Sequence, residues 1–152
     1  MDFADRVTAG RQLARRLRHL ADRQPVVLGL PRGGVPVAAE VARALDAPLD
    51  VVLVRKLGVP TQPELGLGAV GEGGVRVVNP EVLHATRVTE EQLARVTERE
   101  TAELARRALR YRGGRARPAL AGRTAVVVDD GIATGSTARA ACLVVRQLGA
   151  AR

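Results

Sequence analysis

Apolar positions recur along this chain in two rhythms, and each rhythm predicts a different element. Over 2–22, Leu13, Leu17, Leu20 and Ala21 fall on one helical face and Arg11, Arg15, Arg16 and Arg18 fall elsewhere, which predicts an amphipathic helix. PVVLGL (25–30) is an unbroken apolar run between two prolines and predicts a buried strand. The loop PRGG follows, and Pro36 takes the place of a first helical residue ahead of Val37, Ala38, Val41, Ala42 and Leu45 at helical spacing. LDVVLV (49–54) predicts a second buried strand, ending on Arg55-Lys56.

Residues 57–74, LGVPTQPELGLGAVGEGG, are rich in Gly and Pro. They predict a flexible loop containing a short strand near 65–70, with another strand at 75–78. Asn79-Pro80 is a cap and first helical residue for a short helix over 80–86. Thr89 and Gln92 then form a capping box, stapled by Val88 and Leu93, for a helix that runs to about Arg110 and stops at Gly113-Gly114. A strand at 124–128 follows, and then a helix from about 137 with Ala141, Val144, Val145 and Leu148 on one side, ending at Gly149.

Strand, loop and helix thus alternate three times, and the strands are apolar on both sides. That pattern predicts an α/β fold, a parallel sheet covered by helices on both faces, in a single domain over 1–152. Ligands of such sheets sit at the carboxyl ends of the strands. The loops at 31–34, 55–74 and 129–137 all lie there and can converge on one site.

Composition narrows the classes. An apolar fraction of 46% and a charged fraction of 26% over 152 residues are those of a globular domain. A lone cysteine, Cys142, excludes an intrachain disulfide; it falls inside a helix and reads as buried and inert. There is no apolar leader and no membrane-length run, so a cytoplasmic location without membrane association is expected. The net charge of +8 raises nucleic acid as a partner. The arginines, however, are scattered along helical faces, and Phe3 and Tyr111 are the only aromatic residues, so no stacking platform for bases exists. The same charge serves a small polyanionic substrate. All cationic residues but one are arginine, and the exception, Lys56, marks a position where a compact ammonium matters.

VVVDDGIATGST (126–137) carries the most specific chemistry. A glycine- and hydroxyl-rich turn entering a helix holds phosphate through backbone amides and the positive end of the helix dipole. It is not a Walker A loop, having no lysine before Ser136-Thr137, and it lacks dinucleotide-site glycine spacing. Asp129 and Asp130, adjacent at the strand end, suit either two vicinal hydroxyls or a metal ion. A sugar with a phosphate on its far carbon satisfies both halves. In GLPRGG (29–34), Gly33 and Gly34 expose amides before a helix, and Arg32 adds a planar fork for phosphate oxygens.

These strings resemble the type I phosphoribosyltransferases, over about residues 7–149. The fingerprint of that family for phosphoribosyl pyrophosphate (PRPP) is a hydrophobic strand, two acids and a small-residue loop of Thr-Gly-x-Thr character. The resemblance implies that Asp129 and Asp130 hold the ribose 2- and 3-hydroxyls and act in catalysis with Lys56. Gly131 and Ala133 to Thr137 (Ala133, Thr134, Gly135, Ser136, Thr137) then bind the ribose 5-phosphate end. It also makes 29–34 the pyrophosphate loop, often built with a cis peptide, so that Arg32, Gly33 and Gly34 bind pyrophosphate together with Lys56. VRKLGVPTQPELGLGAVGEGG (54–74) resembles the Arg-Lys strand end and closing loop of orotate-type members. With YRGGR at 111–115, the string is similar to stand-alone bacterial phosphoribosyltransferases.

The activity so implied is transfer of 5-phosphoribosyl from PRPP to a nitrogen acceptor, such as a nucleobase, with release of pyrophosphate and Mg2+ as cofactor. That would place the protein in nucleotide metabolism. The ion would be chelated mostly by PRPP oxygens, with Asp129 and Asp130 as indirect contacts. A PRPP-binding regulatory protein without turnover is the alternative on the same fold. Two departures bear on the acceptor: aromatic residues for stacking a base are nearly absent, and the chain stops just after the helix that follows the PRPP loop. The last core strand is accordingly expected to be missing and the C-terminal end truncated. Glu64 reads as a solvated loop acid, His19 and His84 as fillers without metal-ligand spacing, and the Glu and Arg residues of 90–110 as a solvated face or a homodimer contact.

Overall fold

The computed structural model describes residues 3–152; Met1 and Asp2, which open the expected domain and its first helix, lie outside the described residues. Helix α1 (Arg6–Leu17) starts on an Asp5 cap whose carboxylate accepts from the Thr8 amide at 2.7 Å. That amide is why the Asp5 carboxyl lies below its ordinary pKa. A 3-10 segment, Arg18–Arg23, carries the chain to strand β1 (Val26–Gly29). After the turn at 31–33 comes helix α2 (Gly34–Leu45), which begins ahead of Pro36, then strand β2 (Leu49–Val51). Strand β6 (Ala125–Val128) joins β1 on its other side, giving a parallel sheet of order β2-β1-β6.

Side chains alternate across these strands, and both sides are apolar because both sides are covered. Val27 and Val128 pack with α1 and α2 through Ala14, Val37, Ala38, Val41 and Leu45. Val26 and Leu28 face the other way, onto Ala141 and Val145 of helix α5 (Ser136–Gln147). The expected layering is therefore the observed one. At the free edge of β6, the Ala151 amide donates to the Arg123 carbonyl (2.9 Å), and the Ala125 amide donates to Arg152 (2.8 Å). Residues 151 and 152 thus lie along that edge.

The expected strand 49–54 is two strands. Residues 49–51 pair with β1, whereas β3 (Val54–Val59) pairs antiparallel with β4 (Gln62–Gly71), which pairs in turn with β5 (Arg76–Val78). An apolar run shows that a segment is buried but not which partner it pairs with, so the change of sheet at Val52-Leu53 leaves no mark in the letters. For the same reason the segment expected as a loop over 57–74 is a hairpin along most of its length. Two of its glycines lie where the strands approach closely: a Cβ on Gly68 would stand 2.1 Å from the Val77 carbonyl oxygen, and one on Gly58 2.3 Å from the Pro63 carbonyl oxygen.

Helix α3 (Pro80–Thr86) begins on Asn79, whose side chain accepts from the Glu81 and Val82 amides. Helix α4 (Glu90–Arg112) begins on the expected capping box, with both Thr89–Gln92 hydrogen bonds formed. Its apolar stripe, Leu93, Val96 and Leu104, closes a core with Leu57, Val59, Leu67 and Val70 of the hairpin. The two sheets are tied together by Arg112, which is 7% exposed. Its Nε donates to Asp50 on β2 (2.9 Å), its Nη2 to the Val51 carbonyl (3.0 Å) and its Nη1 to Glu72 beyond β4. Burial works to lower the Arg112 pKa, but the hydrogen bonds it donates to Glu72 and Asp50 overcome it and leave the value above the ordinary one.

Candidate functional site

Three segments meet at the carboxyl end of the parallel sheet, as the strand order requires. Strand β6 delivers Asp129 and Asp130 directly. Asp130 accepts two hydrogen bonds from Arg6 on Oδ2, at 2.9 and 2.8 Å, and Asp129 accepts the Asp130 amide on Oδ1 at 2.9 Å. The second oxygen of each carboxylate accepts no hydrogen bond among the described residues. The pair therefore offers two neighbouring acceptors, the arrangement that vicinal hydroxyls require. The Arg6 guanidinium holds the Asp130 carboxyl below its ordinary pKa, which keeps that acid ionised at neutral pH.

The turn 131–135 then leads into α5. Gly135 caps the helix at φ +80°, a left-handed conformation that glycine adopts without a Cβ penalty. Gly135 itself offers no side-chain cap, and the Ser136 amide donates to Thr134 Oγ1 at 3.4 Å, at a helix start that also carries the hydroxyls of Ser136 and Thr137. Thr134 donates to Ser136 at 3.1 Å, and the Lys56 ammonium donates to Ser136 Oγ at 3.3 Å. Amides, hydroxyls and one ammonium thus gather at this helix start, a donor set of the kind that can accept an anion.

The loop 31–34 lies against the acids. The Pro31–Arg32 peptide is cis. A Cβ on Gly33 would stand 2.0 Å from Asp130 Oδ2, and one on Gly34 would stand 2.5 Å from the Val128 carbonyl oxygen. Only two glycines let this loop approach the acid pair so closely. The residues expected from the sequence as site members, Arg32, Gly33, Gly34, Lys56 and 129–137, therefore share one end of the sheet.

Other expectations need correction. Cys142 is exposed, because it falls on the outer side of α5 and the Ala141, Val144 and Val145 side is the one that packs inward. Arg55, beside Lys56, is held by Glu100 of α4 at 2.8 Å, whereas Lys56 has no carboxylate partner among the described residues. The arginines of α4 are exposed, as expected of a solvated face, and one of them also borders the site. Arg107 lines a cavity of about 210 Å³ with Pro31, Lys56 and Thr137. Arg6 is a site residue that the sequence does not signal, since an arginine in an amphipathic helix carries no sign of a partner 124 residues away. His19 and His84 are exposed, and among the described residues no group of three or more His, Cys, Asp or Glu could hold a metal ion. No helix is long and apolar enough to cross a membrane among the described residues.

Fold and site together define an α/β domain of the phosphoribosyltransferase class. A family model described as phosphoribosyl transferase domain matches residues 5–152, and the chain belongs to that family. Proteins provisionally named phosphoribosyl transferases in two strains of Mycobacterium tuberculosis, CDC 1551 and H37Rv, are each 60% identical to it over 148 residues. Those residues are 97% of this chain, and the chain spans about a third (33%) of the length of these relatives. The crystal structure of TT1426 from Thermus thermophilus superposes with a TM-score of 0.91 at 52% identity, covering 100% of this chain and 72% of that one.

Proposed function

We propose that this domain transfers a 5-phosphoribosyl group from PRPP to a nitrogen acceptor and releases pyrophosphate. The observation that carries the reading is the meeting of an adjacent acid pair, a helix start with three hydroxyls, and a double-glycine loop at one sheet end. In this reading Asp129 and Asp130 accept from the ribose hydroxyls. Gly131 and the segment Ala133 to Thr137 hold the 5-phosphate, and the Gly33-Gly34 amides with Arg32 take the pyrophosphate. Names of the M. tuberculosis relatives point the same way.

The acceptor nitrogen forms a bond to ribose C1 as the bond from C1 to the pyrophosphate oxygen breaks, and the nitrogen's proton passes to solvent. Negative charge grows on the departing oxygens, and a fixed ammonium and oriented amides stabilise it without reorganising. Lys56 stands within reach of both the helix start and the cavity beside Pro31, so it is suited to that task. The donor set also fits Mg2+. Two acids with one oxygen each to spare are too few for an all-protein cage, as suits an ion held mostly by ligand oxygens. When bound, Mg2+ would neutralise diphosphate charge; Asp129 and Asp130 would touch it through water.

The test is calorimetric binding of PRPP and of ribose 5-phosphate, with pyrophosphate release assayed across nucleobase acceptors. Asp129→Asn combined with Asp130→Asn is expected to weaken both sugars by at least about 100-fold, two or more charge-assisted hydrogen bonds being lost. Unchanged affinity for ribose 5-phosphate would reject the sugar role. PRPP binding without pyrophosphate release for any acceptor would reject the transferase reading.

A further inference from the structure

Helix α4 carries Glu103, Arg106, Arg107 and Arg110 at spacings of three, four and seven, which puts all four on one face. Its arginines are exposed to solvent, but they do not stand on a flat surface. With Pro31, Arg32 and Tyr111 the face encloses a cavity of about 360 Å³, which shares Pro31 and Arg107 with the smaller cavity beside Lys56. Charge in this cavity is unbalanced. Glu103 is the counter-ion of both Arg106 and Arg107. Among the described residues, neither Arg32 nor Arg110 has a carboxylate within ion-pairing distance. Four guanidiniums against one carboxylate leave three positive charges facing each other across a concave wall. Such an excess raises the local concentration of small polyanions, and planar forks suit phosphate oxygens bidentately.

We propose that Arg107 and Arg110, with Arg106 behind them, form a diphosphate-holding wall on α4 that faces the 31–34 loop and grips the leaving pyrophosphate from the side opposite the loop amides. This rests on the reading of 31–34 as the leaving-group loop. It also favours the leaving group over the acceptor as occupant, because in-line displacement brings the acceptor to C1 from the face away from that loop. Arg107 has a positioning role as well. Its Nε is tethered to Glu103 at 3.2 Å, which aims the guanidinium at the junction of the two cavities, next to Lys56 and Thr137. An anion moving from the loop toward solvent therefore passes from Lys56 to Arg107 to Arg110 without losing a cationic partner.

The test uses inorganic pyrophosphate and ribose 5-phosphate as separate calorimetric probes. Arg107→Gln with Arg110→Gln is expected to weaken pyrophosphate by at least about tenfold and to leave ribose 5-phosphate unchanged. The control, Arg95→Gln with Arg99→Gln, removes the same charge from exposed positions elsewhere on α4 and is expected to leave both affinities within about twofold. Equal losses in the two double variants would reduce the effect to net charge and overturn the proposal, as would unchanged pyrophosphate affinity in the first or no binding to the unaltered protein. The ribose 5-phosphate arm with Asp129→Asn and Asp130→Asn involves no residue of α4. A failure of the sugar site is therefore read separately from a failure of this wall.

Discussion

Asp130 accepts from Arg6 and lies close against Gly33, and its protonation reports on its neighbours. Its pKa is lowered from the ordinary 3.8, first by the Arg6 hydrogen bonds, against a smaller opposing effect of burial. A carboxyl depressed on folding adds stability that is present above the unfolded pKa and is lost as pH falls through the folded one. Arg6→Ala is therefore expected to raise the Asp130 midpoint toward 3.8 and to lower stability at neutral pH by a small amount that vanishes in acid. Carboxyl-carbon NMR titration checks the midpoint, and an unmoved value would show that Arg6 does not set it. At this scale the site string itself was legible, because adjacent acids, glycines and hydroxyls carry their chemistry in order along the chain. Arg6 and the α4 arginines were not. An arginine on a helix face is spelled the same whether it meets water or a carboxylate from a distant strand.

Among the elements, the caps were readable: Asn79, and Thr89 with Gln92, all sit where expected. These are local interactions spanning a few residues, so the letters contain both partners. The hairpin β3–β4 was not readable as such, since its Gly and Pro content imitates a loop. The pyrophosphate-type loop depends on a contact between elements as well. Gly33→Ala would put a methyl group 2.0 Å from Asp130 Oδ2 and is expected to turn that carboxylate aside, weakening ribose 5-phosphate by about tenfold or more. Gly66→Ala, where an added Cβ meets nothing within 4 Å, serves as the silent comparison. Equal affinity in the two variants would show that the loop does not position the acid.

For the molecule as a whole, the parallel and antiparallel sheets are joined through Arg112 and its partners Asp50 and Glu72, whose side chains are 12% and 14% exposed. Removing the cation leaves two carboxylates shielded from water without a counter-charge. Arg112→Ala is accordingly expected to cost about 3–5 kcal/mol of unfolding free energy, the range seen when one partner of a buried pair is deleted. Urea denaturation measures it, and a loss below about 1 kcal/mol, the worth of a surface pair, would show that the cluster is solvated. Arg112 stands in YRGGR, a string that the sequence marks only by its likeness to other chains. Its role comes from contacts 62 and 40 residues away.

By themselves, the letters determined the layered α/β class, the capped helix starts at Asn79 and Thr89, and the run of acids, glycines and hydroxyls after β6, because burial period and capping are written in neighbouring residues. Only the tertiary structure decided which strands pair, that Arg6 clamps Asp130, that Arg112 bridges the sheets, and that Arg107 of α4 borders the site. Each of those depends on distance in space between residues far apart in the chain, and the free energy of such a contact has no local sign.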